Sequence, residues 1–176
     1  MMTGILLLSF LLTGCGSPEP QTGKKMSMYY INTAETKVEV HEQYLNTKTL
    51  DEQLDETMRY LSTTPEKLEY KAPLDMGFHV LDYEVEDGKL LINVDKAYSE
   101  LSPTTEVLVR AAIVRTLTQL PNVKYVGITV EDSQLYDNAG ELVGWMNADQ
   151  FINNDGNEIN TYELVKVKLY FANADG

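Results

Sequence analysis

The chain has 176 residues, with 27 acidic and 14 basic side chains and a net charge of −13. That balance argues against nucleic acid and against polybasic contact with anionic lipid, both of which need basic stripes; acidity of this kind suits a solvated exported domain. A single cysteine, Cys15, leaves no internal disulfide, so an ordinary apolar core has to hold the fold.

The first element is a processing signal. Ile5 to Leu12 is an apolar run, and Leu12-Thr13-Gly14-Cys15 follows the bacterial lipobox pattern of an aliphatic residue, two small residues and a cysteine. The run serves as the apolar region of a signal peptide over residues 1–14. The small residues let a peptidase grip the backbone. The Cys15 thiol then receives a diacylglyceryl group and becomes the new amino terminus. A permanent span would need about 20 apolar residues, more than this run offers. Met1 to Gly4 carries no Lys or Arg, so the usual positive leader is missing; a start of translation upstream of Met1 would supply it. Gly16 to Lys25 is polar and rich in Pro and Gly, which predicts a flexible tether over residues 15–26 between lipid and globule.

Met26 to Ile31 suits a strand, Asn32 to Lys37 its turn, and Val38 to Leu45 its partner. Thr49 and Glu52 are spaced as a capping box, and Leu50, Leu54, Met58 and Leu61 form one apolar stripe, so an amphipathic helix follows. Thr63 to Asp75, with Pro65 and Pro73, reads as a loop. Leu81, Tyr83 and Val85 alternate with Asp82, Glu84 and Glu86; Asp87-Gly88 marks a tight turn, and Leu90, Ile92 and Val94 return. Ser102 and Pro103 open a helix that runs from Thr104 to Leu120, apolar around most of its circumference and therefore largely buried, and Pro121 ends it. A strand over Val123 to Val130 follows, then a turn at Tyr136 to Gly140 and a short strand at Leu142 to Met146. Asn153 to Asn160 is polar and reads as a linker, within a linker segment of residues 153–164.

The end of the chain echoes its beginning. Met28-Tyr29-Tyr30-Ile31-Asn32 aligns with Leu169-Tyr170-Phe171-Ala172-Asn173, an offset of 141 residues from Met28 to Leu169. The pattern alone leaves two alternatives: an extra edge strand, or the opening strand of a second, truncated copy over residues 165–176.

Several of these stretches carry a family resemblance. Residues 27–152 resemble the GerMN domain of sporulation and spore-germination lipoproteins. Tyr29-Tyr30 and Leu169 to Gly176 look like the family's opening strand and acidic glycine turn. Val85 to Asp95 looks like its hairpin, and Asp149-Gln150-Phe151 like the tail after its last strand. The most specific match is Thr116 to Val126, which resembles the family's helix end, proline and entry into the next strand. Pro73 to Gly77 departs from the family's loop. The resemblance implies an α+β fold, a small mixed β-sheet packed by two helices and similar to ring-building motifs. It implies tandem domains in a lipoprotein, which favours the second-copy alternative. It also implies a role in supporting a transenvelope complex between mother cell and forespore.

No catalytic, cofactor or metal constellation stands out. His41 and His79 are the only histidines, and neither is spaced for a zinc site in a helix. Asp82, Glu84 and Glu86 read as the solvated face of a strand rather than as paired acids. Asn153 to Glu158 lacks the first and last ligands of a calcium loop, and Trp145 reads as satellite core. The expectation is a non-enzymatic, lipid-anchored, extracytoplasmic interaction or scaffold module. Its partners are the membrane, through Cys15, and proteins of an envelope or sporulation complex, without nucleic acid. The alternative is a lipoprotein that binds a ligand or cell-wall glycan.

Overall fold

The computed structural model describes residues 23–65, 69–154 and 158–161. Cys15, most of the tether and the segment over 165–176 lie outside the described residues.

Strand β1 (Lys24–Asn32) begins two residues before the expected start of the globule. It pairs antiparallel with β2 (Val38–Leu45), in a register running from Lys24 opposite Leu45 to Ile31 opposite Val38. The side chain of Asn32 sets the turn: its Oδ1 accepts from the backbone N–H of Thr36 at 2.8 Å and of Lys37 at 3.1 Å. The Asn32 N–H donates to the Lys37 carbonyl at 3.1 Å. That bond fixes the alternation along the ladder, so Ser27, Tyr29 and Ile31 turn their peptide groups to the far edge of β1. There Ile31 meets β3 (Tyr70–Lys71), a two-residue strand inside the segment expected to be loop. The sequence hid it between two prolines. Together these strands make a three-stranded sheet in the order β2-β1-β3.

Helix α1 (Leu50–Leu61) forms for the expected reason. Thr49 and Glu52 complete a reciprocal capping box, and Leu54, Met58 and Leu61 are buried. The helix covers the face of β1 that carries Met26, Met28 and Tyr30, with the Thr57 hydroxyl against the Met26 sulfur at 3.9 Å.

The second sheet is mixed and four-stranded. Strands β4 (Val80–Glu86) and β5 (Lys89–Val94) form the expected hairpin. Asp87 and Gly88 both have positive φ, 49° and 80°, as the right-handed twist of a tight hairpin demands. Strand β6 (Tyr125–Val130) runs parallel to β5, with Leu91 opposite Gly127 and Asn93 opposite Thr129. Parallel neighbours need a crossover, which α2 (Pro103–Leu117) supplies. It is buried on nearly all sides: Val109, Ala111, Ala112 and Val114 have no accessible surface. The helix ends at Leu117 rather than Leu120. The Thr118 hydroxyl donates to the Val114 carbonyl at 2.7 Å, and the chain leaves through a turn before Pro121.

The end of α2 and the turn after it close the open edge of β1. The Gln119 side chain accepts from the Ser27 N–H at 3.0 Å and donates to the Ser27 carbonyl at 2.7 Å, as a neighbouring peptide would. The Thr116 hydroxyl accepts from the Tyr29 N–H at 3.1 Å. One apolar core, with Met28, Leu61, Leu90, Ile92, Ile113 and Val126 inside it, joins both sheets and both helices. The fold is α+β with two helices, as expected, and its strands are divided between two main sheets.

Two local expectations are corrected. Leu142 to Met146 is not a strand; only isolated bridges form, Tyr136 to Leu142 and Val126 to Met146. Gly140 and Gly144, with φ of 79° and 63°, bend the chain between them. Part of the segment expected to be linker, 153–164, is paired strand: β8 (Phe151–Asn154) begins before it and β9 (Glu158–Thr161) lies within it.

Candidate functional site

The outward face of the mixed sheet is the most distinctive surface. Along β5 and β6, Leu90, Ile92, Val126 and Ile128 point into the core. The alternate residues, Lys89, Leu91, Asn93, Tyr125, Gly127 and Thr129, point away from it. Asp82, Glu84 and Glu86 of β4 share that outward face and are exposed, as expected of a solvated strand face.

A well-tied arm crosses this face. It includes β7 (Ser133–Gln134), which pairs with the end of β6. The buried Asn93 anchors its start. Its Nδ2 donates to Asp132 Oδ1 at 2.8 Å and to Asp82 Oδ2 at 3.1 Å. Its Oδ1 accepts from the Asp132 N–H at 3.0 Å and the Thr129 hydroxyl at 3.3 Å. All of its polar capacity is used, so Asp82 is in part a structural acceptor rather than a free acid. The Asp137 carboxylate closes the next turn, accepting from the N–H groups of Ala139 and Glu141 at 2.9 Å each. At the far end Met146 exchanges two 2.8 Å backbone hydrogen bonds with Val126.

Between these anchors Trp145 lies against the sheet. A Cβ at residue 127 would fall 2.8 Å from Cζ3 of the indole and 3.2 Å from Cδ1 of Leu91, so only glycine admits the ring there. The Lys89 ammonium sits over the same ring, 5.3 Å from its centroid. Trp145 is 43% exposed, which corrects its reading as satellite core. Beside it is a concavity of about 210 Å³, lined by Leu91, Gly127, Thr129, Gln134, Leu142 and Trp145 among others. Small-molecule sites usually offer about 300–1,000 Å³, so this one has the size to seat a side chain. Sequence reasoning missed the site because its two halves, Gly127 and Trp145, are brought together only by the tertiary fold.

The titratable groups displaced from their usual pKa have structural partners elsewhere. Hydrogen bonds from Lys71 and Thr105 hold the Glu35 carboxyl low. His79 does the same for Asp95, with Nδ1 2.8 Å from Oδ2. Burial and then the Asp55 carboxylate push Tyr83 up to about 12. Burial raises the Tyr98 hydroxyl, which donates to Glu106 at 2.9 Å. His41 lies on β2 opposite Met28. Among the described residues no group of three or more His, Cys, Asp or Glu side chains could hold a metal ion.

Residues 27–136 match the model of the Germane family, described as sporulation and spore germination. The chain belongs to that family. Two solved structures share the GerMN fold. The first GerMN domain of the sporulation protein GerM from Bacillus subtilis is 14% identical, with a TM-score of 0.53 over 69% of this chain and 94% of that one. The tandem GerMN domains of the same protein are 18% identical, with a TM-score of 0.50 over 73% of this chain. The present chain spans only 46% of that tandem protein's length. No curated protein matches the sequence significantly. The wall of the concavity formed by Leu142, Gly144 and Trp145 lies beyond residue 136, outside the family match.

Proposed function

We infer that this GerMN-domain chain is a non-enzymatic, lipid-anchored, extracytoplasmic module that supports a sporulation or spore-germination envelope complex through protein contacts. The observation that carries this is the family match over residues 27–136. The lipobox ending at Cys15 supports the anchor: residues 1–14 act as signal peptide, and lipid on Cys15 holds the domain at the outer face of the cell membrane. Residues 165–176 open a second GerMN domain, which the tandem arrangement in the Bacillus subtilis protein favours. The displaced carboxylates support a non-enzymatic role, because each is engaged in holding the fold rather than grouped at the concavity.

The test is a crosslinked pull-down of the lipidated protein from growing and from sporulating cells. Envelope-complex proteins recovered only from sporulating cells are expected. Recovery of no partner in either state would overturn the reading. A second reading, a lipoprotein that binds a ligand or cell-wall glycan, is favoured by the half-exposed Trp145 beside a concavity. It predicts a monomer that gains thermal stability with its ligand.

A further inference from the structure

We propose that the concavity beside Trp145 docks an extended peptide segment of a partner protein, inserting one large apolar side chain flanked by Lys or Arg. The proposal rests on the interaction-module reading and names the surface and the partner chemistry that reading leaves open.

Size comes first. About 210 Å³ accepts a side chain and is small for a glycan or a drug-sized molecule. The lining comes next. Leu91, Leu135, Leu142 and Trp145 supply apolar contact, and the Gly144 backbone carries no side chain to hinder approach. A side chain added at Gly144 would meet nothing within 4 Å, so the rim is open there. Trp145 is pre-positioned between Gly127 and Lys89, and a fixed, partly exposed indole is the usual anchor of a binding hot spot.

Charge selects the partner. Glu84 sits directly across the β4–β5 ladder from Leu91. Glu131, Asp132 and Glu141 are exposed along the arm, and Glu86 is exposed at the hairpin end. The Lys89 ammonium is already drawn over the indole. An apolar seat on a surface whose exposed acids outnumber its one cation, Lys89, complements an apolar residue between cationic ones, and it repels acidic segments.

The chain has one tryptophan, so its fluorescence reports the site. The purified protein would be used to select from a displayed random-peptide library, and the enriched peptides titrated against Trp145 emission. Enriched peptides should place an apolar residue between Lys or Arg residues, and should bind more weakly as salt rises. Leu142→Asp and Glu84→Lys, both at exposed positions, should each weaken binding at least about tenfold without changing the melting temperature. The proposal is overturned if nothing is enriched, if acidic peptides are, or if the variants bind equally. It is also overturned if soluble chito-oligosaccharides perturb Trp145 and the peptides do not. Pull-down from sporulating cells separates the two levels. Partners retained by Leu142→Asp would remove the docking site and leave the module reading standing; no partner with the wild type would remove the module reading itself.

Discussion

Replacing Gly127 by alanine should drive the indole of Trp145 off the sheet. The new Cβ would lie 2.8 Å from Cζ3 and 2.9 Å from Cε3 of the ring, distances that real Cβ atoms do not keep. The ring has little room to slide, because the next residue, Met146, is pinned to Val126 by two backbone hydrogen bonds. A tryptophan buries at most about 250 Å². With 43% of Trp145 exposed, displacement uncovers roughly 140 Å² of ring surface, a ceiling of ~3.5 kcal/mol at about 25 cal per Å². Alanine returns about 0.5–1 kcal/mol through the stiffer unfolded chain. The expected net loss is about 2 kcal/mol, read as a lower urea midpoint with unchanged slope. The native emission should also shift to the red. A variant as stable as the wild type, with unshifted emission, would refute the close packing of Gly127 on Trp145.

Three further perturbations test other parts of the account. Gln119→Leu removes both hydrogen bonds to the Ser27 peptide and should cost about 1–3 kcal/mol in urea unfolding. It also uncovers the edge of β1, so light scattering should show aggregation the wild type lacks; equal stability and equal scattering would discount the edge-closing role. Glu35→Gln tests the link among the β1–β2 turn, β3 and α2. The folded-state pKa of Glu35 is depressed, so its contribution is full above the ordinary carboxyl value of 4.5 and is lost as pH falls through the lower folded value. Thermal melts should therefore fall more steeply below about pH 4.5 for the wild type than for the variant. Parallel curves would show that Glu35 contributes nothing through its charge. Cys15→Ala should move the protein from the membrane fraction to the soluble fraction; unchanged partition would refute anchoring by lipid on that residue.

Local signals made much of the fold legible. The Thr49–Glu52 capping box, the Leu54–Met58–Leu61 stripe and the Asp87-Gly88 turn each act within a few residues, so sequence alone placed them. The alternation of Leu81 to Glu86 assigned its solvated face correctly, although Leu81 itself lies at a register shift and is exposed. What sequence could not show depends on distant partners. Ser27 pairs with Gln119, 92 residues away, and nothing in either residue announces it. Asn93 carries no local mark of its role, but it holds the start of the arm through Asp132. Gly127 carried no turn signal; its meaning is the ring of Trp145. Strand β9 and the end of β8 fall in a segment that reads as linker because Asn153 to Asn160 is polar. The candidate site was thus invisible while its scaffold was readable. Strands and helices follow local periodicity, but a groove requires knowing which loop returns to which sheet face.

The division of labour within the chain follows from this arrangement. The span matching the family, residues 27–136, supplies the two sheets and both helices. The part of the arm beyond it lays Leu142 and Trp145 on the sheet. In the proposed role, the lipid on Cys15 sets location, the shared fold provides a rigid platform, and the arm sets what binds.

Deletion of the gene in its native host, scored for growth, spore formation and germination, tests the central claim most directly. Complementation with the wild type and with Cys15→Ala completes the comparison. The account predicts normal growth with impaired spore formation or germination, restored by the wild type and not by the unanchored variant. Normal spores that germinate normally without the gene would contradict it, as would full rescue by Cys15→Ala.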